Sequence, residues 1–166
     1  MPEPEFRPEL VLEVLARHGV RHVLIGGFAG VIHGSPYMTT DVDVVPDPRA
    51  ANLERLSRAL DELHARVWTS SQPEGVRFDH DATSLASVGV WNLVTDFGRL
   101  DITFEPTGTA GYGDLARDAM HLVILGVEVD VASLADVIRS KEAANRDKDR
   151  LVLPVLRRLL AETERR

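Results

Sequence analysis

The chain has 166 residues, 44% of them hydrophobic and 27% charged, which suits one domain with a substantial core and excludes a disordered chain. Cysteine is absent, so disulfides, thiolate metal sites and thiol nucleophiles are excluded, and a reducing cytoplasm is the expected setting. The formal net charge of -7 argues against a protein that coats nucleic acid over its whole surface. Lys and Arg nevertheless crowd into the stretch from Arg139 onward; most of these read as solvated helix surface, though a local basic face could meet phosphates. No apolar run reaches membrane-spanning length, and the acidic start Met1-Pro2-Glu3-Pro4-Glu5 is unlike a signal peptide.

In chain order, Pro8 to His18 reads as an amphipathic helix with Leu10, Val11, Val14 and Leu15 on one stripe and Gly19 as its stop. Arg21 to Ile25 is a short strand. Gly26 and Gly27 turn it into a helix that runs to about His33 and ends at Gly34-Ser35-Pro36. Asp41 to Val45 is a second strand, closed by Pro46-Asp47-Pro48. Arg49 to His64 carries Leu53, Leu56, Leu60 and Leu63 at helical spacing. Val67-Trp68 begins a third strand. Ser70 to Ala86 is polar, contains Pro73 and Gly75, shows no period, and reads as a long loop.

Val88 to Thr95 and Arg99 to Phe104 read as a hairpin joined at Asp96-Phe97-Gly98. A glycine-rich loop, Glu105 to Gly113, leads to a short helix from Asp114 to Ala119. His121 to Leu125 and Glu128 to Val131 are strands flanking Gly126. Ser133, with Asp136 three residues on, is a good N-cap for a helix to about Asn145. Asp147 to Thr163 is the last helix, with Pro154 expected to kink or break it. The order gives an α/β (α+β) class: a small mixed sheet flanked by helices, one domain over 1–166, with a core over about 20–131 and C-terminal helices over about 133–164.

Period-two alternation puts Asp41 and Asp43 on one face of their strand and Val42 and Val44 on the other. Paired carboxylates on an otherwise apolar strand repel each other and are costly to desolvate, and a divalent cation is the usual reason to keep them. Oxygen-only donors favour magnesium or manganese. Asp101 lies in Leu100-Asp101-Ile102-Thr103-Phe104, again opposite its apolar neighbours. If its strand adjoins the first pair, three carboxylates converge as a two-metal transfer site requires; alone, Asp101 is as readily a half-exposed strand residue. Gly26 and Gly27 offer backbone that approaches a phosphate closely, or serve tight strand-to-helix packing. The dinucleotide fingerprint, the Walker loop and the EF-hand are all missing, and the six histidines lack ligand spacing for zinc. His33 is expected to pack beneath the glycine turn, and Trp68 and Trp91 to pack in or beside the core.

Ile25-Gly26-Gly27, thirteen intervening residues, Asp41-Val42-Asp43 and then Asp101 resemble the nucleotidyltransferase superfamily with the DNA polymerase β-like fold. Gly26 to Pro36 with Thr39-x-Asp41-x-Asp43 is more specifically similar to the abortive-infection (AbiEii-like) toxin nucleotidyltransferases. Ser133 to Lys141 followed by Arg146-Asp147-Lys148-Asp149 is similar to that family's C-terminal helix pair. The resemblance implies magnesium- or manganese-dependent transfer of a nucleoside monophosphate from an NTP to a hydroxyl of tRNA or protein. It further implies a toxin with a cognate antitoxin, or alternatively an antibiotic-modifying enzyme or an inactive nucleotide-binding module. In it Asp41, Asp43 and Asp101 are the metal and catalytic residues, with Asp101 helping to deprotonate the acceptor, and Gly26, Gly27, Thr39 and Lys141 are the nucleotide-binding ones. Lys141 taken alone is as readily a solvated helix lysine. Tyr37 and Val152 depart from the family pattern, which has Arg and Asp there.

Overall fold

The computed structural model describes residues 3–166, so Met1 and Pro2 of the acidic N-terminal stretch lie outside the described residues. Eight strands form one mixed sheet: β1 (His22–Ile25), β2 (Asp41–Pro46), β3 (Arg66–Thr69), β4 (Gln72–Val76), β5 (Val90–Thr95), β6 (Gly98–Thr103), β7 (Met120–Ile124) and β8 (Val127–Val131). Their spatial order is β4-β3-β5-β6-β2-β1-β8-β7. The β2/β6 and β1/β8 pairs are parallel and the others antiparallel.

Seven helices surround it: α1 (Pro8–Arg17), α2 (Gly26–Ile32), α3 (Ala50–Glu62), α4 (Ala82–Ala86), α5 (Tyr112–Arg117), α6 (Leu134–Ala144) and α7 (Asp147–Glu164). The apolar stripes do what their spacing demands. α1 buries Val11, Leu12, Val14 and Leu15, and α3 buries Leu53, Leu56 and Leu60. These meet the apolar face of the central strands, where Leu24, Val42, Val44, Leu100 and Ile102 are buried. The alternation on β2 and β6 thus commits their aspartates to the opposite face. No helix among the described residues is long and apolar enough to cross a membrane.

Two expectations are corrected. Ser70 to Ala86 is not one loop: it holds β4 and α4. β4 escapes notice because it is an edge strand, where Pro73 lacks only a donor that no neighbour needs. Its Gly75 sits at φ +88, where a Cβ would come within 2.5 Å of the Arg66 side chain and 2.6 Å of Val94. α4 is a five-residue helix closed by an Asp81–Ser84 capping box and burying only Leu85, too little apolar surface to show a period. The second concerns Pro154: the break does not occur, and α7 runs on through it. It lies on the exposed face, where a carbonyl left without its donor can turn to water.

The ends of β1 and β2 are clipped by Asn52 of α3, which is 1% exposed. Its amide accepts from Arg21 N at 2.7 Å and donates to the carbonyls of Arg21 at 2.9 Å and Asp47 at 2.8 Å. Asn52→Ala leaves these groups without their partner and should cost about 2 kcal/mol, read from the urea midpoint at unchanged slope. A loss below about 0.5 kcal/mol would show that the clip is dispensable.

Candidate active site

The site begins where β1 ends. Ile25 pairs with Asp43, and the next residue, Gly26, adopts φ +77 to turn the chain into α2. A Cβ at Gly26 would lie 2.1 Å from Asp43 Oδ2, so the missing side chain makes room for that carboxylate. A Cβ at Gly27 would lie 3.2 Å from Thr39 Oγ1. The Thr39 hydroxyl in turn stands 3.2 Å from both the carbonyl and Oδ1 of Asp41 and orients that side chain. The glycine pair therefore serves the acidic cluster directly. His33 is structural, its Nε2 2.8 Å from the carbonyl of Ala132.

Parallel pairing of β2 with β6 sets Asp41 beside Arg99 and Asp43 beside Asp101. Carboxylate oxygens of Asp41, Asp43 and Asp101 all lie within 4.8 Å of one another. Such crowding opposes ionisation. Burial, then the charges of Asp41 and Asp101, pushes the Asp43 carboxyl up to about 7. Burial, then a proton shared with Asp41 and its charge, pushes Asp101 up to about 7 as well. The donors at the cluster are oxygens, with no sulfur or imidazole among the grouped ligands, so a hard divalent ion fits it and a soft one does not.

The triad lies in a cleft of about 760 Å³ whose other wall is the α6–α7 junction. Lys141, Arg146 and Lys148 line that wall. Lys141 is 8% exposed, so it is not a solvated surface lysine; its Nζ stands 3.6 Å from Asp149 Oδ1. Burial opposes ionisation of Asp149, but the Arg146 guanidinium and backbone amide hold its carboxyl below the usual range. Lys148 and Lys141 both favour the charged form of Asp43. Farther along α7 the basic residues are exposed, Arg157 on Glu142 and Arg150 on Asp147, as expected for solvated surface. Both positions that depart from the family pattern, Tyr37 and Val152, line the cleft.

No family model matches the chain, and no curated protein matches it in sequence. The lincosamide antibiotic adenylyltransferase LnuA, with lincomycin bound, superposes with a TM-score of 0.62 at 14% identity, over 95% of this chain and 99% of the other. TM1012 from Thermotoga maritima, assigned to the nucleotidyltransferases, superposes with a TM-score of 0.56 at 18% identity, over 96% and 97%. The chain has a nucleotidyltransferase fold. At these identities the likeness fixes the arrangement of elements, and the chemistry rests on the residues in the cleft.

Three cleft residues were not singled out from the sequence. Arg146 and Lys148 belong in the sequence to the basic C-terminal stretch and to the resemblance of the C-terminal helix pair, with no role of their own. Arg99 carried a signal, since it lies two residues before Asp101 and period two places both on one face.

The raised Asp43 and Asp101 values have a consequence for folding. In the unfolded chain these carboxyls titrate near about 3.9. Between about pH 4 and about pH 7 the ion-free folded state therefore binds protons that the unfolded state has released, so this contribution to stability is lost as pH rises. Buried His22, pushed down to about 4 by desolvation, works in the opposite direction over most of that window. The clean measurement is a difference: in chelator, the melting temperature of Asp43→Asn should gain on the parent as pH rises through about 5 to about 8. A pH-independent difference would contradict the burial of charge at this cluster.

Proposed function

We propose that this chain is a single nucleotidyltransferase domain that moves a nucleoside monophosphate from an NTP to a hydroxyl acceptor. The supporting observation is the pairing across one cleft of three close carboxylates with three cations, Lys141, Arg146 and Lys148. A divalent ion pair, magnesium or manganese, held by Asp41, Asp43 and Asp101 would offset the charge on the transferring phosphoryl group. Lys141 and Lys148 bind the triphosphate as point charges, with the Arg146 guanidinium, forked onto Asp149, adding its charge beside them. Gly26 and Gly27 bring backbone beside the triphosphate while making room for Asp43 and Thr39, and Thr39 keeps Asp41 aimed inward.

In the transfer, the acceptor oxygen bonds to the α-phosphorus and the bond to the β-phosphate oxygen breaks. Pyrophosphate leaves, and Asp101 accepts the hydroxyl proton. The acceptor on this reading is a hydroxyl of tRNA or of a protein, and the chain acts in the cytoplasm as the toxin of a toxin–antitoxin pair whose antitoxin is its partner. The family resemblance of Gly26 to Pro36 and of the C-terminal helix pair supports this. A second reading, transfer to a hydroxyl of a small antibiotic, is favoured by the shared fold with LnuA.

The test is incubation with each labelled NTP, magnesium, and total tRNA, cell protein or lincomycin in turn. Label is expected on one acceptor class. Asp41→Asn should reduce transfer by about a thousandfold or more while the fold is kept. No transfer to any of the three, with no nucleotide-dependent rise in melting temperature, would leave an inactive binding module instead. An Asp41→Asn chain that fails to fold would make Asp41 structural.

A further inference from the structure

Five Arg–Asp pairs two or three residues apart lie among the described residues, Arg49–Asp47, Arg99–Asp101, Arg139–Asp136, Arg146–Asp149 and Arg150–Asp147, and they are not alike. Arg49 meets Asp47 with both prongs of its side-on fork, Nε at 3.1 Å and Nη2 at 2.9 Å. Arg146 meets Asp149 in the same way, Nε at 2.8 Å and Nη2 at 3.2 Å. Arg99 meets Asp101 with one prong only, Nη2 to Oδ1 at 3.2 Å, while its Nε is buried without any partner. Arg139 likewise holds Asp136 by Nη2 alone with its Nε buried and unpaired, and there Asp114 takes the same Nη2 as a second anchor. A buried donor left unpaired is costly, so at Arg99 too something else must fix the guanidinium.

That something is Trp68. The Arg99 guanidinium lies 3.9 Å from the Trp68 ring centre, a cation–π contact, and the indole Nε1 donates to Glu3 Oε1 at 3.3 Å. The sheet order explains the reach. β6 is separated from β3 by β5, so Arg99 extends across that strand from the triad to Trp68. Its own ladder partner is Asp41, so it is tethered beside two of the three carboxylates at once. A lysine could not lie flat on the indole and also present a directed N–H to Asp101.

We propose that Arg99, clamped by Trp68, is the positioning residue for Asp101. It takes Oδ1 and holds the side chain by a single prong, so that Oδ2 stays free for the cation and the acceptor proton. A closed fork of the kind made at Asp47 and Asp149 would engage both oxygens. This inference rests on the nucleotidyl transfer reading, and its test separates the two.

The test uses the full-length chain, with nitrogen-15 arginine spectra and steady-state transfer to the acceptor found above. The Arg99 Nε–H should be shifted upfield by the indole ring and protected from exchange. Trp68→Leu should abolish that shift and Trp68→Phe should retain most of it. Manganese should broaden the same signal. Arg99→Gln and Arg99→Lys should each lower kcat by about tenfold or more, with KM for the NTP changed by no more than about twofold. Trp68→Leu should reproduce most of that loss, and the double variant should be no slower than Arg99→Gln alone, because the two act as one unit. If Arg99→Gln loses its fold, Trp68→Leu still carries the comparison. Manganese broadening with unchanged kcat in the Arg99 and Trp68 variants overturns this proposal alone. Absence of any manganese effect on the parent chain overturns the metal-dependent reading beneath it. A fully additive double variant overturns the clamp.

Discussion

The arrangement of the cleft turns on one steric fact: a carboxylate of Asp43 occupies the volume that a side chain at Gly26 would fill. That contact forces glycine at the β1–α2 turn, in a backbone conformation that other residues adopt only with strain. It also places the start of α2 against the acidic strand. Because Ile25 pairs with Asp43, and Asp43 in turn with Asp101, the turn, both strands and all three acids are set by two consecutive strand registers. A slip of one residue in either register would swing its aspartates into the apolar face that Val42, Val44, Leu100 and Ile102 fill. The hydrophobic core and the acidic face are thus two sides of one constraint.

Concentrating negative charge in this way has a cost, and the surrounding residues show how it is met. Burial and mutual repulsion raise Asp43 and Asp101 toward neutrality. Lys141 and Lys148 face them from the α6–α7 junction, and Arg99 leans on them from β6. The cations that oppose the triad across the cleft all come from the last two helices, packed beside α2 on the β1 side of the sheet. The β5–β6 side offers only Arg99, already engaged. The cleft is therefore asymmetric in charge, which suits a polyanionic triphosphate on one side of the acids and an acceptor on the other.

Much of this was legible in the sequence because it depends on short-range periodicity. Alternation on Asp41 to Val45 and on Leu100 to Phe104 placed the acids, and the leucine spacing of α1 and α3 placed the core. Pairing of β2 with β6 was a condition the sequence left open, since parallel partners fifty-odd residues apart leave no local trace. β4 and α4 were missed because an edge strand with Pro73 and a one-turn helix bury little and show no period. α7 was legible as a helix, but that Pro154 leaves it unbroken depends on which face meets water. Lys141 reads from the sequence either as nucleotide-binding, by resemblance, or as a solvated helix lysine, and only tertiary packing shows it buried. Arg99 was visible by alternation, but its role depends on Trp68 two strands away, and no local pattern records that.

The central claim is that Asp41, Asp43 and Asp101 form a single binding site for hard divalent ions. Titration of the chelator-treated chain with manganese at about pH 8, followed by electron paramagnetic resonance, tests it most directly, since the raised carboxyls are ionised there. The account predicts saturable binding that tightens when an NTP is added and is lost in Asp43→Asn, while that variant keeps the parent's circular dichroism. Manganese binding of equal strength in the parent and in Asp43→Asn, or none in either, would contradict it.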